Sequence, residues 1–139
     1  MASLIYNSFW DDVCRAIVDV DTDTFKVLLT TSSYTEDKDN HLKRSSITNE
    51  VASGGGYTTG GNSATFTVTK DTANDRIDIS AGGTTWPAST IVARKAVYYK
   101  SRGGASSADE LVCVIDFGSD VSTTAGTLTL NASTLRIQN

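Results

Sequence analysis

An alternation of apolar and polar residues with a period of two recurs through most of the chain after residue 24. Its apolar members are Phe25, Val27 and Leu29, then Phe66 and Val68, Ile77 and Ile79, Leu128 and Leu130, and Leu135 and Ile137. Because successive side chains of a β-strand point to opposite faces, this pattern predicts strands with one face in a core and one in water. Turn-forming residues separate the alternating stretches. The chain is therefore expected to be all-β, an antiparallel β-sandwich or jelly roll.

Two stretches, residues 91–99 and 111–117, are apolar on both sides of the predicted strand. Strands of this kind lie at the centre of a sheet, or have their second face covered by a helix, a long loop or a partner chain. Within the first stretch, the alternation sends Tyr98 and Tyr99 to opposite faces. The sequence leaves open which of these covers is used.

One short helix and one long connection differ from the predicted strands. Apolar residues at helical spacing predict a helix over residues 8–17. Residues 32–62 form a connection that is longer than compact domains usually contain, and we interpret it as a surface excursion. A length of 139 residues fits one domain, so residues 1–139 are expected to form a single β-sandwich with one N-terminal helix.

Charge and hydropathy exclude several classes of partner. The formal net charge is −4, whereas nucleic-acid-binding chains usually carry a basic excess. No stretch is long enough to cross a bilayer, and the N-terminus lacks the basic segment of a signal peptide. We therefore expect no nucleic acid and no membrane as partner, and a location in a reducing cytoplasm or in a particle assembled there. Cys113 is interpreted as a small core residue, and a bridge to Cys14 stays open.

No group of residues predicts catalysis, a cofactor or a metal ion. The run Asp19, Asp21 and Asp23 is similar to the start of a calcium loop, but threonine stands where such a loop has its glycine and its glutamate. We interpret the run as an acidic turn between helix and strand. His41, the only histidine, is interpreted as a solvated loop residue, and the sequence contains no nucleophile elbow. The chain is expected not to be an enzyme.

Tyrosine, arginine and lysine residues are the candidate contacts to a protein partner, because tyrosine and arginine anchor many interfaces. The candidate contact residues are Lys43, Arg44, Tyr57, Arg94, Tyr98, Tyr99, Lys100 and Arg102. The alternative interpretation of the tyrosine pair is that one ring fills the core while the neighbouring cations are solvated. For the glycine-rich run at residues 54–61, tight turning and flat contact with a neighbour are both open.

Five stretches of sequence carry a resemblance to a known family. They are MASLIYNSF (residues 1–9), TDTFKVLL (22–29), the segment from YT to TNEV (34–51), KDTANDRIDI (70–79) and ASTLRI (132–137). Together they resemble small proteins from the head gene clusters of tailed phages and prophages, some of which are capsid decoration, or cement, proteins. The resemblance implies a jelly roll without catalytic residues, made in the host cytoplasm. It further implies a homodimer on the capsid exterior that bridges capsomers of the major capsid protein.

Two other functions remain as alternatives. The first is a tail-associated or surface recognition module that binds a carbohydrate or a receptor; Trp86 and Tyr57 are the loop aromatics that could form a sugar platform, whereas Trp86 could instead fill the core beside Pro87. The second is an enzyme, which would require a pocket with converging titratable groups.

Overall fold

The computed structural model describes residues 3–139 and contains ten strands and one α-helix within that range. In chain order the elements are β1 (Leu4–Ile5), α1 (Asn7–Cys14), β2 (Phe25–Thr30), β3 (Asn62–Ala64), β4 (Phe66–Asp71), β5 (Arg76–Ala81), β6 (Thr84–Ser89), β7 (Val92–Lys100), β8 (Leu111–Ser122), β9 (Gly126–Leu130) and β10 (Ser133–Gln138). The expected antiparallel β-sandwich with one short N-terminal helix is confirmed.

Three antiparallel sheets build the sandwich. The large sheet has the strand order β1-β8-β7-β2-β3, and two smaller sheets, β10-β5-β4 and β6-β9, face it. The core between them draws on the alternating residues of the sequence: Val27 and Leu29 from the large sheet meet Ile79, Trp86 and Leu135 from the smaller ones. Burial of this apolar area is the main favourable term in folding.

A second apolar cluster lies on the opposite face of the large sheet. Leu28, Val97 and Val114 belong to it, together with Tyr6 and Tyr34. Tyr34 comes from the connection at residues 32–62, which thus covers the sheet. This explains why the strands at 91–99 and 111–117 are apolar on both sides. Of the possible covers, the chain's own long connection is used: it supplies Tyr34 and the partly buried Ile47, while Tyr6 comes from the segment after β1.

The connection at residues 32–62 is exposed or half-buried along most of its length, but a few buried residues, including Tyr34 and Val51, fix it to the domain. The backbone N–H of Val51 donates to the Leu29 carbonyl (2.9 Å), and that of Thr31 donates to the Asn49 carbonyl (3.0 Å). At its end, a Cβ atom placed on Gly61 would lie 1.8 Å from the Val27 carbonyl oxygen. The glycine-rich run therefore lies against the chain's own sheet.

His41 also belongs to this cover, where it is half-buried and hydrogen-bonded rather than fully solvated as the sequence suggested. Its Nδ1 atom accepts the backbone N–H of Asp37 (3.2 Å) and lies 3.0 Å from the Tyr34 hydroxyl. That hydroxyl is 2.7 Å from the Tyr6 hydroxyl. The three rings thus form a hydrogen-bonded chain that joins the connection to the end of β1.

Helix α1 lies where the sequence predicted it but ends at Cys14 rather than at residue 17. Ala16 adopts a left-handed conformation (φ 59°), and the Ile17 N–H donates to the Asp12 carbonyl (2.8 Å). This arrangement closes the last turn and ends the helix. Cys14 and Cys113 are both free; Cys113 is buried in the core, as expected, and burial raises the pKa of its thiol to about 12.

Candidate protein-docking surfaces

Three of the candidate contact residues are tyrosines, and all three are buried, so their prediction as contacts is wrong. The Tyr57 hydroxyl donates to the Glu50 carboxylate (2.7 Å). The hydroxyls of Tyr98 and Tyr99 donate to the carbonyls of Gly82 (3.1 Å) and Gly60 (2.6 Å). Tyr98 and Tyr99 do point to opposite faces of β7, as the alternation predicts, but both faces are covered.

Trp86 fills the core, with its ring centroid 6.3 Å from that of Tyr57. Neither ring is exposed, so a sugar platform built on these two aromatics is wrong. The alternative interpretation of Trp86, a side chain that fills the core beside Pro87, is confirmed.

Lys100 is also buried, and its prediction as a contact residue is wrong. Its ammonium group pairs with the Asp23 carboxylate (2.7 Å) and donates to the Ile17 carbonyl (2.6 Å). Both partners lie in the turn between α1 and β2, so Lys100 fixes that turn to the end of β7.

Arg94 is partly exposed near the start of β7, at the opposite end of that strand from Lys100. Its Nε atom donates to the Asp116 carboxylate (3.1 Å), and its Nη1 atom lies 3.6 Å from that of Asp120. In β8, residues 117–120 form a bulge between these two acids. The structure therefore separates Arg94 from the other candidate contacts.

Lys43, Arg44 and Arg102 converge on two buried acids, Asp109 and Glu110, and we call this group the basic corner. Lys43 and Arg102 donate to the Glu110 carboxylate (2.8 and 2.9 Å), while Arg44 donates to that of Asp109 (2.8 Å). These ion pairs connect the long connection to the β7–β8 loop. Lys43 and Arg102 keep part of their surface in solvent, and they share one carboxylate, that of Glu110, which balances one of their two charges.

The basic corner makes the free energy of unfolding depend on pH at acidic pH values. Burial by itself raises the pKa of Glu110, but the hydrogen bonds that Arg102 and Lys43 donate outweigh it and lower the pKa from 4.5 to about 2. A lowered pKa stabilises the fold above the ordinary value, and this stabilisation is lost as the pH falls from 4.5 to 2. We expect unfolding experiments at pH 6 and pH 2 to differ by about 3 kcal/mol through this group. In Glu110→Gln the loss of stability between pH 6 and pH 2 should be smaller by that amount. The same loss in the variant as in the unmodified chain would contradict this role of Glu110.

A groove of 680 Å³ lies between α1, the turn after it and the inner face of the β10-β5-β4 sheet. Its apolar lining includes Trp10, Val13, Val68, Ile77 and Ile137. Val68 is 42% exposed and Ile137 45% exposed, although each alternates with polar neighbours as a core residue would. We call this surface the apolar groove.

The apolar groove arises because β4 and β10 extend beyond the core that they cover. Phe66 and Leu135 are buried, whereas Val68 and Ile137, two residues further along the same faces, are exposed. The sequence predicts the inward orientation of both residues correctly. Alternation does not indicate how far the large sheet extends opposite β4 and β10, so the sequence does not predict the groove.

Asp19 and Asp21 line the apolar groove on its helix side. The Asp19 carboxylate accepts the backbone N–H groups of Asp21 and Thr22, which confirms the interpretation of this run as an acidic turn. Hydrogen bonds from Thr22 and Asp21 hold the pKa of Asp19 below its usual value, so it is ionised at neutral pH. Within residues 3–139 no three His, Cys, Asp or Glu residues are grouped so as to hold a metal ion.

No helix in the described part of the chain has the length and apolar character needed to cross a membrane. Comparisons with protein-family models, with curated proteins and with solved structures gave no match.

Proposed function

We propose that this chain is a structural virion protein that decorates and stabilises a phage capsid. It is made in the host cytoplasm, binds as a homodimer to the outer surface of the major capsid protein shell, and bridges neighbouring capsomers. The observation that carries the proposal is the apolar groove, a concave, partly exposed apolar surface on a sheet held rigid by a buried core. The resemblance in sequence gives the class of partner.

Exposed apolar side chains in the groove supply the free energy for attachment. Val68, Ile77 and Ile137 lose contact with water when a partner covers them, and each square ångström of apolar surface removed from water contributes roughly 25 cal/mol. Apolar patches on otherwise polar surfaces commonly mark docking sites for other proteins. Strands β4 and β10, which present Val68 and Ile137, are both paired with β5, so the surface needs little reorganisation on binding.

Stabilisation of a shell follows from mass action. A protein that binds the assembled shell more tightly than the separate subunits shifts the equilibrium toward the shell. In a homodimer, attachment of one groove makes the second attachment intramolecular, which raises the overall affinity by about 10²–10⁴. Modest contacts at each groove are then sufficient to hold neighbouring capsomers together.

Replacing Val68 by lysine tests the proposal. The longer, charged side chain would occupy part of the groove and would have to lose its water in the interface, so we expect attachment to fall by at least about tenfold. The measurement is co-sedimentation of the purified chain with phage heads that lack it, compared with separated capsid subunits. The matched control is Thr67→Lys, which puts the same charge on the outer face of the same strand and should bind normally. Failure of the unmodified chain to bind heads would overturn the proposal.

A further inference from the structure

We infer that the apolar groove receives an apolar side chain from a partner segment that carries lysine or arginine on both sides of it. The identity of the partner, a capsid protein, rests on the proposed function, whereas the chemistry of the segment rests on the charges around the groove. The groove supplies an apolar floor, and its helix-side wall supplies the negative charge.

The chain segment that supplies that wall is acidic, and two of its aspartates, Asp19 and Asp21, line the groove. Residues 11–23, which include the second half of α1 and the turn after it, contain five aspartates and one arginine, a net charge of −4. The formal net charge of the whole chain is also −4, so all other residues together are neutral. An excess of this kind beside the groove favours a partner of opposite charge.

Cations of the chain neutralise only some of these acids. Asp11 pairs with Arg15 (2.9 Å), and Asp23 pairs with Lys100 (2.7 Å). Asp19 and Asp21, which line the groove itself, form no ion pair with a residue of the described chain. Asp19 uses its carboxylate for backbone N–H groups of the turn, which fixes its position but leaves its charge in place.

The arrangement distinguishes between partner segments. An acidic segment would bring like charges together at the rim of the groove, and a neutral apolar segment would gain nothing from the aspartates. A segment with a basic residue on each side of an apolar one places the cations at the rim and the apolar side chain on Val68 and Ile137. Its binding should weaken as salt is added, because the rim charges are exposed and therefore screened.

Peptide binding tests this chemistry without a capsid. The probes are a short peptide with leucine and isoleucine at its centre and lysines on both sides, and its twin with glutamates in place of the lysines. The readouts are fluorescence polarisation of the labelled peptide and the tryptophan emission of the chain, in which Trp10 lines the groove and Trp86 is buried in the core. We expect the lysine peptide to bind at least about tenfold more tightly than the glutamate peptide at low salt, and to shift the tryptophan emission. Equal binding of the two peptides, or no binding of either, would overturn the inference.

Two variants with the same change in net charge locate the effect. Asp21→Asn removes one rim charge and should weaken the lysine peptide about two- to fivefold, with a smaller dependence on salt. Thr67→Lys adds one positive charge on the outer face of β4 and should leave binding unchanged. Equal losses in both variants would show an effect of net charge alone and would contradict a defined site.

The head-binding and peptide experiments separate the two proposals. Heads that bind the chain while the lysine peptide shows no preference would overturn this inference and leave the capsid proposal intact. A clear preference for the lysine peptide without any attachment to heads would support the inference and overturn the capsid partner.

Discussion

Replacing Lys95 by methionine should lower the free energy of unfolding by about 3–5 kcal/mol, because it leaves a buried carboxylate without its counter-charge. The Lys95 ammonium group pairs with Glu36, whose side chain is 0% exposed, and it donates to the Tyr34 carbonyl (2.8 Å). Glu36 belongs to the long connection and Lys95 to β7, so the pair is buried between the two, where little water can replace the lost partner. The measurement is urea-induced unfolding of the variant and of the unmodified chain.

A double variant gives the control for this ion pair. Replacing Glu36 by leucine together with Lys95→Met removes both charges, so no buried charge remains uncompensated. Such replacements are often far less harmful than breaking the pair. We therefore expect the double variant to be more stable than Lys95→Met alone. If Lys95→Met alone changed the free energy of unfolding by less than about 1 kcal/mol, another group would compensate the charge of Glu36, and the contact with Lys95 would not stabilise the fold.

Replacing Gly61 by alanine should destabilise the protein by about 2–5 kcal/mol. Gly61 has φ of 72°, a left-handed conformation that costs an L-residue about 1–2 kcal/mol. The new Cβ would also lie 1.8 Å from the Val27 carbonyl oxygen, so the backbone of either β2 or the connection must move. Overpacking of this kind typically costs about 1–3 kcal/mol more. The midpoint of thermal or urea unfolding reports the loss.

Gly103 provides a matched control because it has nearly the same backbone conformation without the crowding. Its φ is 76°, and no atom lies within 4 Å of a Cβ placed on it. Gly103→Ala should therefore cost only the left-handed penalty of about 1–2 kcal/mol. Equal losses at Gly61 and Gly103 would contradict a close approach of the connection to β2.

The alternation of apolar residues predicted the strands and the direction of their side chains correctly. It predicted that Val27 and Leu29 share a face, and that Tyr98 and Tyr99 do not. Periodicity is a local property of the backbone, so it can be read from neighbouring residues alone. The helical spacing predicted α1 for the same reason, but it did not predict its end at Cys14, which follows from the left-handed conformation of Ala16.

Burial of the candidate contacts could not be predicted in the same way. Tyr99 is buried because the connection at residues 32–62 covers the second face of the large sheet, and nothing local to Tyr99 indicates that cover. Lys43 meets Glu110 across 67 residues of sequence, and Lys95 meets Glu36 across 59. Such pairings follow from the route of the chain in space, which a single sequence does not reveal.

The pairing of β2 with β7 has a consequence for the chain while it is being synthesised. Strand β2 is complete at Thr30, but its long neighbour β7 ends only at Lys100, about 70 residues later. Ribosomes add about 5–20 residues per second, so the nascent chain carries β2 without that neighbour for about 4–14 s. During this interval the apolar side chains of β2 are available to other nascent chains and to chaperones. Overexpression and slow translation should therefore both increase the aggregated fraction, because each raises the number of encounters that β2 makes before β7 emerges.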